Sequence, residues 1–154
     1  MHYFAYGSNM NHEQMQKSCP GSMFLKPVRL DGYTFVYDGR STAEMHTEKG
    51  AVANIVPDSK KHVWGALYEV SEQDIANLDI VEDIPHAYQK ANLVVRDSQG
   101  TSYTGVTAYL RPPQEIGQPT ADYKATVLRG ARDSGLPDDY LARLEAKISS
   151  NVVQ

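Results

Sequence analysis

AVANIVPDSKKHVWGALYEV, Ala51 to Val70, holds two runs of strand-forming residues separated by the polar DSKK, Asp58 to Lys61. Val52, Ile55 and Val56 in the first run and Val63, Trp64, Leu67 and Tyr68 in the second favour a pleated, half-buried surface. The short polar link makes a β-hairpin the economical reading. A second pair, NLVVRD and TSYTGVTAYL, is joined by SQG, which again reads as a hairpin. Hairpin-linked strands make antiparallel sheets, whereas a parallel sheet needs alternating helical crossovers, and none separates these runs.

The elements on either side agree. Tyr3 to Tyr6 is a short aromatic strand, followed by a helix capped by Asn11 with Gln14 three residues on. Cys19, Pro20 and Gly21 end that helix. Val28 to Tyr37 alternates aromatic and small residues as a strand, with Gly32 marking a bulge. Asp38 to Lys49, DGRSTAEMHTEK, is polar and aperiodic, longer than most connections and a candidate lid. Ser71 caps a short helix with Asp74 at its third position, and that helix is expected to stop near Asp79. Pro112, Pro113, Gly117 and Pro119 form a stiff connector. Two helices close the chain, one from Thr120 to Ser134 with Gly135 beyond it as a cap, the other carrying Tyr140, Leu141, Leu144 and Ile148 on one stripe. The expected fold class is α+β, a small mostly antiparallel β-barrel flanked by helices, in a single domain over residues 1–154.

Composition narrows the function. With 15 basic and 19 acidic residues the formal charge is −4 and no long run has one sign, which argues against nucleic acid or an anionic membrane as partner. No apolar stretch reaches the roughly 20 residues of a membrane span, and MHYFAYGS has no basic segment followed by an apolar one. The single cysteine, Cys19, rules out an internal disulfide and a CxxC site. A cytoplasmic protein acting on a small molecule is the expectation.

The common catalytic motifs are missing. His2, His12, His46, His62 and His86 form no HxxxH pair, so no metal site is expected. There is no GxGxxG, GxxxxGK[ST] or GxSxG, hence no sequence handle for nucleotide binding or a serine nucleophile. LDIVEDIPHAY, Leu78 to Tyr88, is different: Asp79, Glu82 and Asp83 cluster between a helix and a strand. Solvated surface acids are the plain reading. A buried general acid/base is the sharper one, with Glu82 favoured because Val81 and Ile84 bracket it. His86, four residues on, is a histidine that tunes Glu82 or a bystander.

YFAYGSNM at Tyr3, GAVANIV at Gly50, VWGALYEVSEQDIANLD continuing into VED, and ADYKATVLRGARDSGLPDDYLARL together resemble the γ-glutamylcyclotransferase family, which is related to AIG2-like and butirosin-type cyclotransferases. The resemblance covers nearly the whole chain. It implies a lyase- or acyltransferase-type enzyme of the kind met in glutathione metabolism, which releases 5-oxoproline and a free amine from a small γ-glutamyl substrate without a cofactor. It implies further that Glu82 is the catalytic carboxylate, that Tyr3, Phe4, Ala5, Tyr6, Gly7 and Ser8 form the loop holding the γ-glutamyl group, and that Tyr123 lines the same pocket. The family includes dimers, so a homodimer is compatible with it. Asp83 departs from the glycine that many relatives carry after the glutamate, a change expected to alter the loop path or raise the pKa of Glu82. Alternatives within the resemblance are an enzyme acting on γ-glutamylamines or removing a γ-glutamyl group from a natural product, and a non-catalytic binder of a small metabolite.

The chemistry explains the empty motif search. When a γ-glutamyl group cyclises, its own α-amine attacks its own γ-carbonyl, so no protein nucleophile is needed. The protein has to bend the chain into attack geometry and move a proton. Without the resemblance, Gly7 is an ordinary turn glycine, Asn9 a helix cap, and Tyr123, Tyr88 and Trp64 packing residues.

Overall fold

The long ribbon formed by β2 (Met23–Asp38) and β3 (Val52–Glu69) organises the molecule. The computed structural model describes residues 1–39, 50–84 and 87–153, with side chains described as far as 146. Most of the segment expected as a lid, His46 included, therefore lies outside the described residues, as does His86. The remaining elements are β1 (His2–Ala5), α1 (His12–Ser18), α2 (Glu72–Val81), β4 (Gln89–Arg96), β5 (Ser102–Leu110), α3 (Ala121–Asp133) and α4 (Asp138–Val153), with a 3₁₀ turn at Ser8–Met10. The strands close a barrel in the order β1-β3-β2-β4-β5. All neighbours are antiparallel except β1 and β5, which meet in parallel at Tyr3 and Thr107.

The hairpin read from Ala51–Val70 is corrected by the pairing register. The two runs do not pair with each other; they lie end to end as one strand, and both pair antiparallel with β2. His62 to Glu69 pairs with Met23 to Asp31, and Val52 to Pro57 pairs with Tyr33 to Asp38. DSKK bulges out opposite Gly32, whose φ of 86° is one that glycine adopts without penalty. The physical reason lies in the burial: Val52, Ala53 and Ile55 from one run and Val63, Ala66 and Leu67 from the other are all buried in the same core. A sufficiently long β2 serves both runs, so the polar link has only to bulge. By contrast, β4 and β5 do form a hairpin, closed by the Asp97 carboxylate, which accepts from the amides of Gln99 and Thr101 at 3.0 and 2.9 Å.

The helices are capped by the expected residues. Asn11 Oδ1 accepts from the Gln14 amide, and Ser71 and Asp74 form a reciprocal capping box. The structure differs at the end of α2, which runs two residues past Asp79. There the Ile84 amide donates to the Asp79 carbonyl and the Asp83 amide to the Ile80 carbonyl, both at 3.0 Å, a Schellman closure with Glu82 at the C-cap. Asp83 takes the left-handed position of that closure, with φ of 53°. A glycine belongs there on steric grounds, and aspartate is among the few other residues that tolerate it. Asp83→Gly is accordingly expected to stay within about 1 kcal/mol of wild type, whereas a β-branched Asp83→Val costs about 1–2 kcal/mol, as thermal denaturation will show.

α3 packs against the 3₁₀ turn because Gly130 lets the backbones of Met10 and Asn11 touch the helix; a Cβ there would collide with both. That contact brings Tyr123, in the first turn of α3, close to Gly7 just beyond the end of β1. Among the described residues no helix is long and apolar enough to cross a membrane, and no group of three metal-ligating side chains is found.

Candidate active site

At one end of the barrel the C-cap of α2 faces the end of β1. A narrow cavity of about 30 Å³ lies between them, lined by Glu82 and by Tyr3, Tyr6, Gly7, Ser8 and Tyr123. The structure thus brings six of the eight residues expected at the site around one space. Phe4 and Ala5 do not line it: they are buried in the core, with the Phe4 ring packed under Gly65. Asn9, Ala53, Tyr88 and Tyr109 complete the wall. A larger hollow of about 470 Å³ lies between α4 and the β2–β3 ribbon, but its charged lining among the described residues is Lys60, Lys61 and Arg143, with no carboxylate.

Glu82 is only 7% exposed. The Schellman closure sets its backbone, so the side chain enters the cavity from a fixed point. Among the described residues no hydrogen-bond donor sits on its carboxylate. Loss of hydration therefore dominates and pushes its pKa up to about 7, with the Arg111 guanidinium opposing the shift. Burial raises it, and Asp83 does not contribute, contrary to the expectation for a second carboxylate. Asp79 is engaged elsewhere, accepting from the Tyr109 phenol at 2.7 Å and pairing with Lys90 at 2.9 Å.

The opposite wall is built from β1 and the turn after it. The first hydrogen bonds of the 3₁₀ turn run from the Met10 amide to the Gly7 carbonyl and from the Asn11 amide to the Ser8 carbonyl, each at 3.0 Å. The amides of Ser8 and Asn9 precede these bonds and have no backbone acceptor among the described residues, leaving donors at the cavity edge. A Cβ on Gly7 would come within 2.8 Å of the Ala53 Cβ, so only glycine lets this loop lie against β3. Gly7→Val is expected to displace the loop and lower kcat/KM by about 10²-fold, while Ser8→Ala costs less, because the loop position depends on the backbone. Steady-state kinetics of the two variants provides the comparison.

Tyrosines close the remaining sides. The Tyr123 phenol accepts from the Ala53 amide at 3.0 Å, and the Tyr88 phenol donates to the Ala53 carbonyl at 2.9 Å. The Tyr88 ring lies under the Arg111 guanidinium, 4.6 Å from its centroid. Arg111 is buried and bonded to Asp38, itself fully buried, through the carboxylate at 2.5 Å and the carbonyl at 2.8 Å. Asn54 donates to the same carboxylate and to the Arg111 carbonyl. Sequence reasoning missed Arg111 and Tyr109 and left Tyr88 as packing. Their positions at the end of β5 and before β4 gave no local signal of a site. The one hint was ANIV, Ala53 to Val56, where a polar Asn54 interrupts an apolar strand.

Residues 62–144 match the AIG2-like family. The γ-glutamylcyclotransferase of Mus musculus is 28% identical over 148 residues, covering 94% of this chain and 77% of that protein. The Homo sapiens γ-glutamylcyclotransferase is 28% identical over 145 residues, with the same coverage of 94% and 77%. A solved structure of a γ-glutamyl cyclotransferase superposes with a TM-score of 0.87 at 27% identity, over 95% of this chain and 86% of the other. YkqA from Bacillus subtilis, at 22% identity, shares the fold with a TM-score of 0.82, over 98% of this chain and 55% of its own.

Proposed function

The chain belongs to the AIG2-like family and has γ-glutamylcyclotransferases among its relatives, and on that footing we propose that it cyclises the γ-glutamyl group of a small substrate, releasing 5-oxoproline and a free amine. The observation that carries this reading is Glu82, a buried carboxylate with a pKa near 7 that shares a cavity with the Gly7–Ser8 loop.

The γ-glutamyl group enters with its α-amine toward Glu82 and its γ-carbonyl toward the amides of Ser8 and Asn9. The α-ammonium of the substrate has to lose a proton before it can attack, and a carboxylate whose pKa lies close to neutral accepts it readily. The amine nitrogen then forms a bond to the γ-carbon, closing the five-membered ring. Negative charge on the carbonyl oxygen is met by the fixed N–H donors, each worth about 3–4 kcal/mol to such an intermediate. As the intermediate collapses, the bond to the leaving amine breaks and Glu82 gives that nitrogen the proton it took. The second proton, shed by the ring nitrogen as it becomes an amide, passes to Glu82 in turn and leaves with the product amine as an ammonium. No water is consumed and no protein atom becomes covalently attached. The narrow, tyrosine-lined space holds the glutamyl chain bent, which is where an intramolecular reaction gains most.

A non-catalytic binder has no use for a buried carboxylate that has no donor among the described residues, at the cost that this one carries, and the enzyme reading accounts for it. The proposal fixes a pH dependence. Glu82 must be ionised to act as base, so kcat/KM for 5-oxoproline release is expected to rise with pH through an apparent pKa of about 7. A profile already flat above pH ~5, the range of an ordinary carboxylate, would remove Glu82 from the role of base.

A further inference from the structure

The hydroxyl of Tyr3 sits at the end of a chain of side-chain amides that starts outside the cavity. Gln14, half-buried on the first turn of α1, donates from Nε2 to Ser8 Oγ and to Asn9 Oδ1, both at 2.9 Å. The amide of Asn9 is thereby oriented with its oxygen toward Gln14, and its Nδ2 donates to the Tyr3 phenol at 3.0 Å. A phenol has one proton and its oxygen lone pairs. With a lone pair occupied by Asn9, the Tyr3 O–H points elsewhere, and Tyr3 lines the same cavity as Glu82. Tyr6, Tyr88 and Tyr109 are arranged in the opposite sense, each spending its proton on an acceptor of the protein: the Tyr109 carbonyl, the Ala53 carbonyl and the Asp79 carboxylate.

We propose that Gln14 is a positioning residue that fixes the direction of the Tyr3 hydroxyl, so that its proton points into the cavity, toward the γ-glutamyl group held beside Glu82. The inference rests on the cyclotransferase reading for its catalytic consequence, though not for the orientation itself. With both amides turned over, the same heavy-atom positions would have Tyr3 donate to Asn9 and direct its lone pairs at Glu82. An ionised carboxylate in the same cavity disfavours that arrangement electrostatically and selects the one in which the phenol turns its proton, not its lone pairs, toward it. Ser8, Asn9 and Tyr3 are all buried, so water does not compete for these bonds.

The test is a reversal of polarity at constant shape. Gln14→Glu replaces the donor by an acceptor, which draws the Ser8 hydroxyl and the Asn9 amide toward itself and turns the Tyr3 proton onto Asn9. Gln14→Met removes the bonds without reversing them. Asn9→Asp makes the same reversal one bond nearer and serves as the second probe should Gln14→Glu not fold. Each is made in the wild type and in Tyr3→Phe, with two readouts: turnover to 5-oxoproline and the titration of the Glu82 carboxyl carbon by NMR. The other groups around Glu82 are Arg111, Asp79 and the phenols of Tyr6, Tyr88, Tyr109 and Tyr123, and they are the same in every arm. The Coulomb effect of the new carboxylate is also common to both backgrounds and cancels in the comparison.

Gln14→Glu is expected to lower kcat by about 10²-fold with wild-type Tyr3, the effect of losing one fixed donor, and by far less in the Tyr3→Phe background. Gln14→Met falls between wild type and Gln14→Glu. The Glu82 midpoint is expected to rise further with Tyr3 present than with Tyr3→Phe. Equal effects in the two backgrounds, in turnover or in the titration, would overturn the proposal. A wild type that releases no 5-oxoproline would overturn the functional reading instead, and the titration would still decide the polarity.

Discussion

Glu82→Gln is expected to lower the rate of 5-oxoproline release by about 10² to 10⁴-fold, the range for loss of a general acid/base, and at the same time to stabilise the fold. The two effects have one cause. The pKa of Glu82 is raised from 4.5 to about 7 by burial, so the folded protein binds this proton more tightly than the unfolded chain. A group shifted in that direction destabilises the folded state at pH above the unfolded value, progressively from about 4.5 and fully above about 7. A shift of this size corresponds to an upper figure of about 3 kcal/mol. Glu82→Gln has no charge to bury, so its melting temperature is expected to exceed that of wild type at pH ~8 and to match it near pH ~4.5, where the carboxyl is protonated in the fold. A residue retained against stability is retained for chemistry. A variant that loses activity and stability together at pH ~8 would make Glu82 a structural residue instead.

Arg111→Met carries the largest expected cost to the fold. Arg111 and Asp38 are 4% exposed and fully buried respectively, and two hydrogen bonds from the guanidinium hold the aspartate. Removing the cation leaves a carboxylate in the interior with only Asn54 and the Gln114 amide as donors among the described residues. Breaking one side of such a pair costs about 3–5 kcal/mol, a large share of the roughly 5–15 kcal/mol that holds a domain together. The damage also reaches the site, since the guanidinium supports the Tyr88 ring and Tyr88 bonds the Ala53 carbonyl. Chemical denaturation of Arg111→Met, beside the double variant Asp38→Asn/Arg111→Met, separates the two contributions. The double variant is expected to recover much of the stability, because no unpaired charge remains.

Much of this was legible in the residues. Alternation in Tyr33 to Tyr37 and Asn92 to Leu110, the Ser71 and Asn11 caps and the Gly135 stop are local signals, and local structure followed them. Glu82 stood out because apolar neighbours flank a carboxylate outside any repeating element. What stayed hidden depends on partners far along the chain. Nothing in DSKK says whether its flanking strands pair with each other or share a third, since either arrangement buries the same apolar residues. Tyr109 and Tyr88 line the cavity, and Arg111 backs Tyr88, through pairings far along the chain, and a sequence read locally shows them as strand and connector residues. Asn9 looked like a cap; its side chain instead bonds Tyr3 and Gln14, a role set by α1 folding back over the turn.

The central claim is that the substrate's own amine is the nucleophile. Incubating the protein with a γ-glutamyl amino acid and with its Nα-acetylated counterpart, and identifying the products by mass spectrometry, tests this directly. The expected result is 5-oxoproline from the free amine and no reaction of the acetylated compound. Free glutamate from the first substrate, or release of the leaving amine from the second, would mean that water or a protein group attacks, and would contradict the account.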